Sequence, residues 1–389
     1  MFLKKPNIPK RQGALRIAIL ADMPRHSIGG NTQGRGGGHG ATWLPQLADA
    51  FAEHEDLDVI WITLDKSVKK VEVDVAANQH FIRVPLWKAT LDYLFDHWPS
   101  RIRLTAVLKQ LDVDIVHAWG TERFYPSVFK STKAPKILSI QGALSAFVRV
   151  FDAPWTIRIQ AKKEPKQVME ADVLTCESLW SEERIREIRK DADIRIIDYG
   201  VHPSFYKIVW RPDPERPVLL YSGDIDYRKG LDVLMDALEK LPDRNWVCKV
   251  AGDGPMAAEL KARNIPGVEW LGNLPWSQLQ VEMSKAWALV VPTRADTGPT
   301  VVKEARVVGL PIIGTENGGL RDYIRDGESG YVVRPLTVDE MAKACKLMMS
   351  DYDKVVEMGR KWHHEDKIYF NPERTADAFI SLYKELSQR

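Results

Sequence analysis

ALVVPTRADTGPTVVKEARVVGLPIIG, residues Ala288 to Gly314, decides the fold. Ala288 to Pro292 and Pro311 to Gly314 are short apolar runs, and Pro299 to Val308 between them reads as a helix. Strand, helix and strand in close succession predict a unit whose two strands run parallel. Strands without polar alternation are expected to be covered on both faces.

The pattern repeats outward from this unit. The C-terminal half adds PVLLYS (Pro217 to Ser222), WVCKVAG (Trp246 to Gly252) and GYVV (Gly330 to Val333), with LDVLMDALEKL (Leu231 to Leu241) as a helix. The N-terminal half shows LRIAILA (Leu15 to Ala21), LDVIWITL (Leu57 to Leu64), DIVHAW (Asp114 to Trp119) and KILSI (Lys136 to Ile140), with a helix in Ala41 to His54. The alternation stops near Phe205, and RPDPERP (Arg211 to Pro217) reads as a stiff, extended connector. Two doubly wound α/β domains joined by this connector are therefore expected. NPERTADAFISLYKEL (Asn371 to Leu386) reads as an amphipathic helix with Asn371 as its cap and Pro372 in its first turn.

Composition narrows the function. The chain has 389 residues, 44% hydrophobic and 28% charged, enough for two cores of ordinary size. A net charge of +2 with dispersed basic residues does not suggest a nucleic-acid partner. The local basic clusters are Lys4 to Arg11 and Arg149 to Lys166. Cys176, Cys248 and Cys345 lack metal-ligand spacing and read as buried small residues in a reducing compartment. No apolar run reaches the ~18 residues of a spanning helix, and Met1 to Gly13 lacks the apolar core of a leader. A cytoplasmic protein is expected.

Three stretches carry chemistry. In SGDIDYRKG (Ser222 to Gly230) a strand ends and a helix begins, which puts Arg228 and Lys229 where open α/β sheets bind ligands. Cations beside helix-start amides suit a diphosphate. AGDGP (Ala251 to Pro255) is a second strand-to-helix turn, and its glycines permit close approach of a ligand. In the third stretch, Asp296 to Ile324, a helix starts near Thr300 after Gly298-Pro299, and Glu304 falls in its second turn within an apolar segment. An ionised carboxylate there can accept both hydroxyls of a ribose. Gly318-Gly319 opens a further helix.

In order and spacing these stretches resemble the C-terminal domain of the retaining GT-B glycosyltransferases of family 4. Gly223 and Lys229-Gly230 are similar to that family's G-R-x(n)-K-G loop, and Gly252 to Pro255 to its G-x-G-P turn. Asp296 and Glu304 resemble its E-x7-E motif, followed by Gly309 to Pro311 and Gly318-Gly319. Gly36 to Phe51, DIVHAWG, SIQGAL (Ser139 to Leu144), Ala171 to Ile185 and Asp198 to Tyr206 resemble segments of the family's N-terminal domain.

The resemblance implies GT-B architecture, two Rossmann-like doubly wound parallel-sheet domains facing a cleft. Residues 1–204 would form the acceptor domain, 205–367 the nucleotide-sugar domain, and 368–389 a helix packed back on the first. It implies retaining transfer of a hexose from a UDP-, GDP- or ADP-sugar to a sugar, lipid-linked or small-molecule acceptor, with no metal and no further cofactor. Lys229, Asp296, Glu304 and His39 are the implied catalytic residues. Gly37, Gly38, Gly223, Arg228, Gly252, Gly298, Pro299, Thr300 and Val301, with Lys229 and Glu304, are the implied donor contacts. His117, in an apolar strand, reads instead as a satisfied core residue.

Three positions depart from the family pattern. Asp224 stands at an arginine position, Asp296 at the first glutamate and Gln141 at a histidine. They keep open a non-catalytic or weakly active nucleotide-sugar binder, and a sugar-nucleotide epimerase is a separate alternative. Basic residues interleaved with Phe147, Phe151 and Trp155 suggest peripheral contact with the inner face of a membrane.

Overall fold

The computed structural model describes residues 8–23, 43–86, 89–241 and 245–389. Two compact units result, each an α/β layered domain. Among the described residues the first unit runs to Asp198 and includes Pro372–Arg389, and the second is Tyr199–Asn371.

The first unit holds β1 (Leu15–Leu20), β2 (Leu57–Asp65), β3 (Glu72–Ala76), β4 (Gln79–Pro85), β5 (Ile115–Trp119), β6 (Lys136–Ser139), β7 (Val173–Cys176) and β8 (Ile194–Ile196). Their order is β3-β4-β2-β1-β5-β6-β7-β8. All pairs are parallel except β3 on β4. β1 and β5 are almost wholly buried, as continuous apolar strands require. The order reverses between β1 and β5, where Leu20 pairs with Ala118.

His117 on β5 is fully buried. Its Nδ1 lies 2.7 Å from the Tyr383 hydroxyl and its Nε2 2.7 Å from Ser139 Oγ. Both ring nitrogens are thus satisfied, and burial pushes its pKa down to about 3. Tyr383 belongs to helix Pro372–Ser387, whose Phe379 and Tyr383 rings pack on Trp119 and Phe51.

The second unit holds β9 (Val218–Ser222), β10 (Val247–Ala251), β11 (Val268–Gly272), β12 (Ala288–Val291), β13 (Ile312–Thr315) and β14 (Gly330–Val333). All six are parallel, in the order β11-β10-β9-β12-β13-β14. Apolar clusters cover both faces, one around Leu219, Leu234 and Cys248, the other around Leu220, Leu289 and Val302. Here the order reverses between β9 and β12.

Arg211 to Pro217 is not the connector expected from its prolines. It lies within the second unit as a strap. Arg211 N–H donates to Ser284 O at 2.8 Å, Trp287 Nε1 to Asp213 O at 2.8 Å, and the Tyr352 hydroxyl to Pro212 O at 3.2 Å. The segment before it belongs to the same unit, because Phe205 is fully buried there and Val201 N–H bonds Phe370 O at 2.9 Å. The passage between units therefore falls at Asp198 and Tyr199. The three cysteines are buried thiols that form no disulfide among the described residues. Among the described residues no helix is long and apolar enough to cross a membrane.

Candidate functional site

Strand reversal in an open parallel sheet opens a crevice at the carboxyl ends of the two central strands. In the second unit the loops after β9 and β12 meet there. The β9 loop is built by local capping. The Asp226 carboxylate accepts the Lys229 N–H at 2.8 Å and fixes the single turn Tyr227–Lys229. Gly230 follows at φ +71°, and a Cβ there would lie 2.0 Å from Pro292 O. Only glycine lets the β9 loop rest on the β12 loop at this point.

This contact sets two cations on one carboxylate. Lys229 Nζ donates to Asp296 Oδ2 at 2.6 Å, and Arg228 donates to the same oxygen at 3.3 Å and to Ala295 O at 3.3 Å. Burial pushes the Asp296 carboxyl up, but Lys229, Arg228 and the Gly298 N–H outweigh it and hold the group below its ordinary value. Arg294 serves differently. It grips Asp232 through two bonds of 2.8 and 2.6 Å, donates to Tyr227 O at 2.6 Å and stacks on the Tyr227 ring at 3.9 Å. Arg228 thus lies with Lys229, whereas Arg294 is committed to the scaffold.

Helix Thr300–Val308 starts directly after buried Gly298 and Pro299, with no side-chain cap. Its first amides point out of the helix start and carry the positive end of its dipole. Glu304 and Lys303 are both buried on this helix, and Lys303 Nζ lies 5.1 Å from the Tyr199 ring and 5.5 Å from that of Tyr323. Behind Asp296 the turn at Gly318 closes tightly. Gly318 has φ +72°, its Cβ would fall 2.0 Å from Asp296 O, and the Gly319 N–H donates to that oxygen at 2.9 Å. The Gly-Gly pair thus fixes the backbone of Asp296.

The structure gathers Gly223, Arg228, Lys229, Gly252, Asp296 and Gly298 to Val301 at the carboxyl edge of β9, β10 and β12. Gly223 N–H bonds Ala251 O at 3.0 Å, so the β9 and β10 loops start side by side. Asp224 is exposed and its backbone carbonyl accepts from the Tyr221 hydroxyl at 2.6 Å. Gly37, Gly38 and His39 lie outside the described residues. Asp232, Tyr227 and Asn317, whose Nδ2 donates to Arg294 O at 2.9 Å, were not legible from the sequence.

The first unit has a polar group at its own point of reversal. Asp22, after β1, accepts from Arg123 Nε at 2.7 Å and from the Tyr125 hydroxyl at 2.5 Å, both after β5. Glu122 beside them is half-buried, and burial together with the charges of Glu164 and Asp22 pushes its pKa up to about 7. A carboxyl following β5 in a loop with Gly120 was the signal available in the sequence.

Comparison with known proteins follows this division. Residues 205–364 match the family model described as glycosyl transferases group 1. The sulfoquinovosyl transferase SQD2 of Arabidopsis thaliana is 26% identical over 162 residues, 40% of this chain and 31% of that protein. The chain thus spans about a third of that relative's length. The whole fold resembles sucrose-phosphate synthase from Thermosynechococcus elongatus, with TM-score 0.79, 19% identity and coverage of 96% of this chain and 99% of the other. It also resembles Anabaena HepE in complex with UDP-glucose, with TM-score 0.71, 14% identity and coverage of 95% and 100%. These likenesses give both units together the GT-B fold.

Proposed function

We propose, from the premise that residues 205–364 form a glycosyl transferases group 1 domain, that this chain transfers a sugar from a nucleotide-diphosphate donor to an acceptor hydroxyl with retention at the anomeric carbon. The observation that carries the reading is the convergence of Lys229 and Arg228 on Asp296 across the β9–β12 reversal. It lies beside the uncapped start of helix Thr300–Val308. The second unit, Tyr199–Asn371, would hold the donor and the first unit the acceptor.

Negative charge grows on the diphosphate as the bond to the sugar breaks. Lys229, Arg228 and the Thr300 and Val301 amides would meet that charge, so no metal is needed in this reading. Groups aimed at charge that develops in the transition state lower the barrier most. Asp296, kept ionised by its two cations, would face the transferred sugar, Glu304 would take the ribose hydroxyls, and His39 would reach the phosphates or the acceptor. The UDP-glucose complex of HepE makes UDP-glucose the first donor to try. GDP- and ADP-sugars come next. Sugars, lipid-linked sugars and small molecules are the acceptor classes, in a cytoplasmic protein with peripheral contact to the inner face of a membrane.

Mass analysis of products after incubation with each donor and an acceptor panel tests this reading. A new glycoside with released nucleoside diphosphate is expected. An isomerised donor without transfer would instead assign an epimerase. A second reading, binding without transfer, is favoured by the exposed Asp224 where the family pattern has arginine. Slow donor hydrolysis that disappears in Lys229→Ala would eliminate it.

A further inference from the structure

Apolar residues at one corner of the first unit stand in water. Leu94, Phe95, Trp98 and Ile102 are 69%, 59%, 55% and 47% exposed. Isolated apolar residues on a surface are ordinary, but a contiguous group marks an interaction site. This group spans the end of helix Ala89–Leu94 and the start of helix Trp98–Leu108.

The corner is held against helix Trp155–Glu170. The Tyr93 ring lies 5.4 Å from that of Trp155, His97 Nε2 lies 3.0 Å from Gln160 Oε1, and Lys163 pairs with Asp96 at 3.0 Å. The corner is therefore a fixed part of the surface. The outer stripe of helix Trp155–Glu170 carries Trp155, Arg158, Lys162, Lys166 and Met169, at helical spacing and all exposed. Asp96 and Asp152, the acids beside it, are already paired with Lys163 and Arg158. Among the described residues Arg101, Lys162 and Lys166 form no ion pair.

We propose that this corner and the outer stripe of helix Trp155–Glu170 form one face that docks onto an anionic lipid surface. Aromatic side chains with a polar edge settle at the boundary between headgroups and acyl chains. Lysines left without counter-charges gain theirs from anionic headgroups. A protein partner fits less well, because lysine is depleted at protein interfaces. Of the aromatic residues named above for a membrane contact, Trp155 belongs to this face, Phe151 is half-buried and Phe147 is buried; the face requires no transfer activity.

The test is co-sedimentation of the full chain with vesicles of phosphatidylcholine alone or with about 30% phosphatidylglycerol, at about 50 and 500 mM salt. Binding to the anionic vesicles at low salt is expected, with a blue shift of tryptophan emission and release at high salt. F95A/W98A and K162E/K166E should each weaken partition tenfold or more, with thermal melting unchanged because these side chains are exposed. No binding to anionic vesicles, or binding undiminished in both double variants, overturns the proposal. So does lipid-free dimerisation abolished by F95A/W98A, which would give the face to a second copy of this chain. Nucleotide-sugar binding measured on the same samples separates failure of this proposal from failure of the transfer reading.

Discussion

Lys229 Nζ lies 2.6 Å from Asp296 Oδ2, joining the loop after β9 to the loop after β12 where the strand order reverses. The pair is mostly buried, and Asp296 is held ionised below its ordinary value of 3.8. A carboxylate whose folded pKa is depressed contributes stability that is present above the unfolded value and lost as pH falls through the folded one. Asp296→Asn should therefore be less stable than the parent by about 1.5–3 kcal/mol near neutrality. The gap should close below pH 3.8. Urea unfolding at several pH values measures it, and a gap constant with pH would count against the pair.

Arg228 and Arg294 sit in one loop cluster with different partners. Arg294 holds Asp232 with two bonds, whereas Arg228 shares Asp296 with Lys229. Arg294→Ala should lower stability by about 2–3 kcal/mol by stranding Asp232. Arg228→Ala should leave the melting temperature nearly unchanged and weaken nucleotide binding tenfold or more. Calorimetric melting and nucleotide titration of both variants distinguish these roles, and the reverse pattern would exchange the two assignments.

Gly318 and Gly327 share nearly the same backbone, φ +72° and +74°, but not the same surroundings. A Cβ at Gly318 meets Asp296 O at 2.0 Å, and one at Gly327 meets nothing within 4 Å. Gly327→Ala should cost about 1 kcal/mol for the left-handed backbone alone. Gly318→Ala should cost at least twice that and also weaken nucleotide binding by moving Asp296. Equal losses in the two variants would show that the Asp296 carbonyl yields without consequence.

These residues also show how far a sequence can be read. The positions of Lys229 and Gly298 to Val301 at strand ends, and of Glu304 on the following helix, are legible because strand, turn and helix are consecutive and each motif is local. The Arg294–Asp232 pair spans 62 positions and exists only through the packing of two loops. β3, β8 and β11 are short and partly exposed, so they lack the apolar run that announces a central strand. Prolines give Arg211 to Pro217 its extended shape but cannot say what it lies on; the Trp287 indole and Tyr352 hydroxyl bind it to its own unit. Nothing in the sequence marks Phe95 and Trp98 as surface residues; the packing of the corner leaves them outside.

His117 makes the first unit sensitive to acid. Its folded pKa is about 3 against an ordinary 6.5. The unfolded chain takes up this proton first, so stability present above pH 6.5 is lost progressively as pH falls toward 3. His117→Asn should show a shallower fall of unfolding free energy between pH 7 and 5, although it is less stable at neutral pH. Tyr383→Phe should cost about 1 kcal/mol through the lost hydroxyl partner. Unfolding followed across this range checks both, and an unchanged slope in His117→Asn would place the acid sensitivity elsewhere.

Calorimetric titration of the intact chain and of Lys229→Ala with UDP-, GDP- and ADP-sugars bears most directly on the donor site. One nucleotide sugar should bind the intact chain at a single site, and Lys229→Ala should weaken it by about tenfold to a hundredfold, the worth of one charge-assisted phosphate contact. Failure of all three donors to bind, or equal affinity in Lys229→Ala, would contradict a donor site at the β9–β12 reversal.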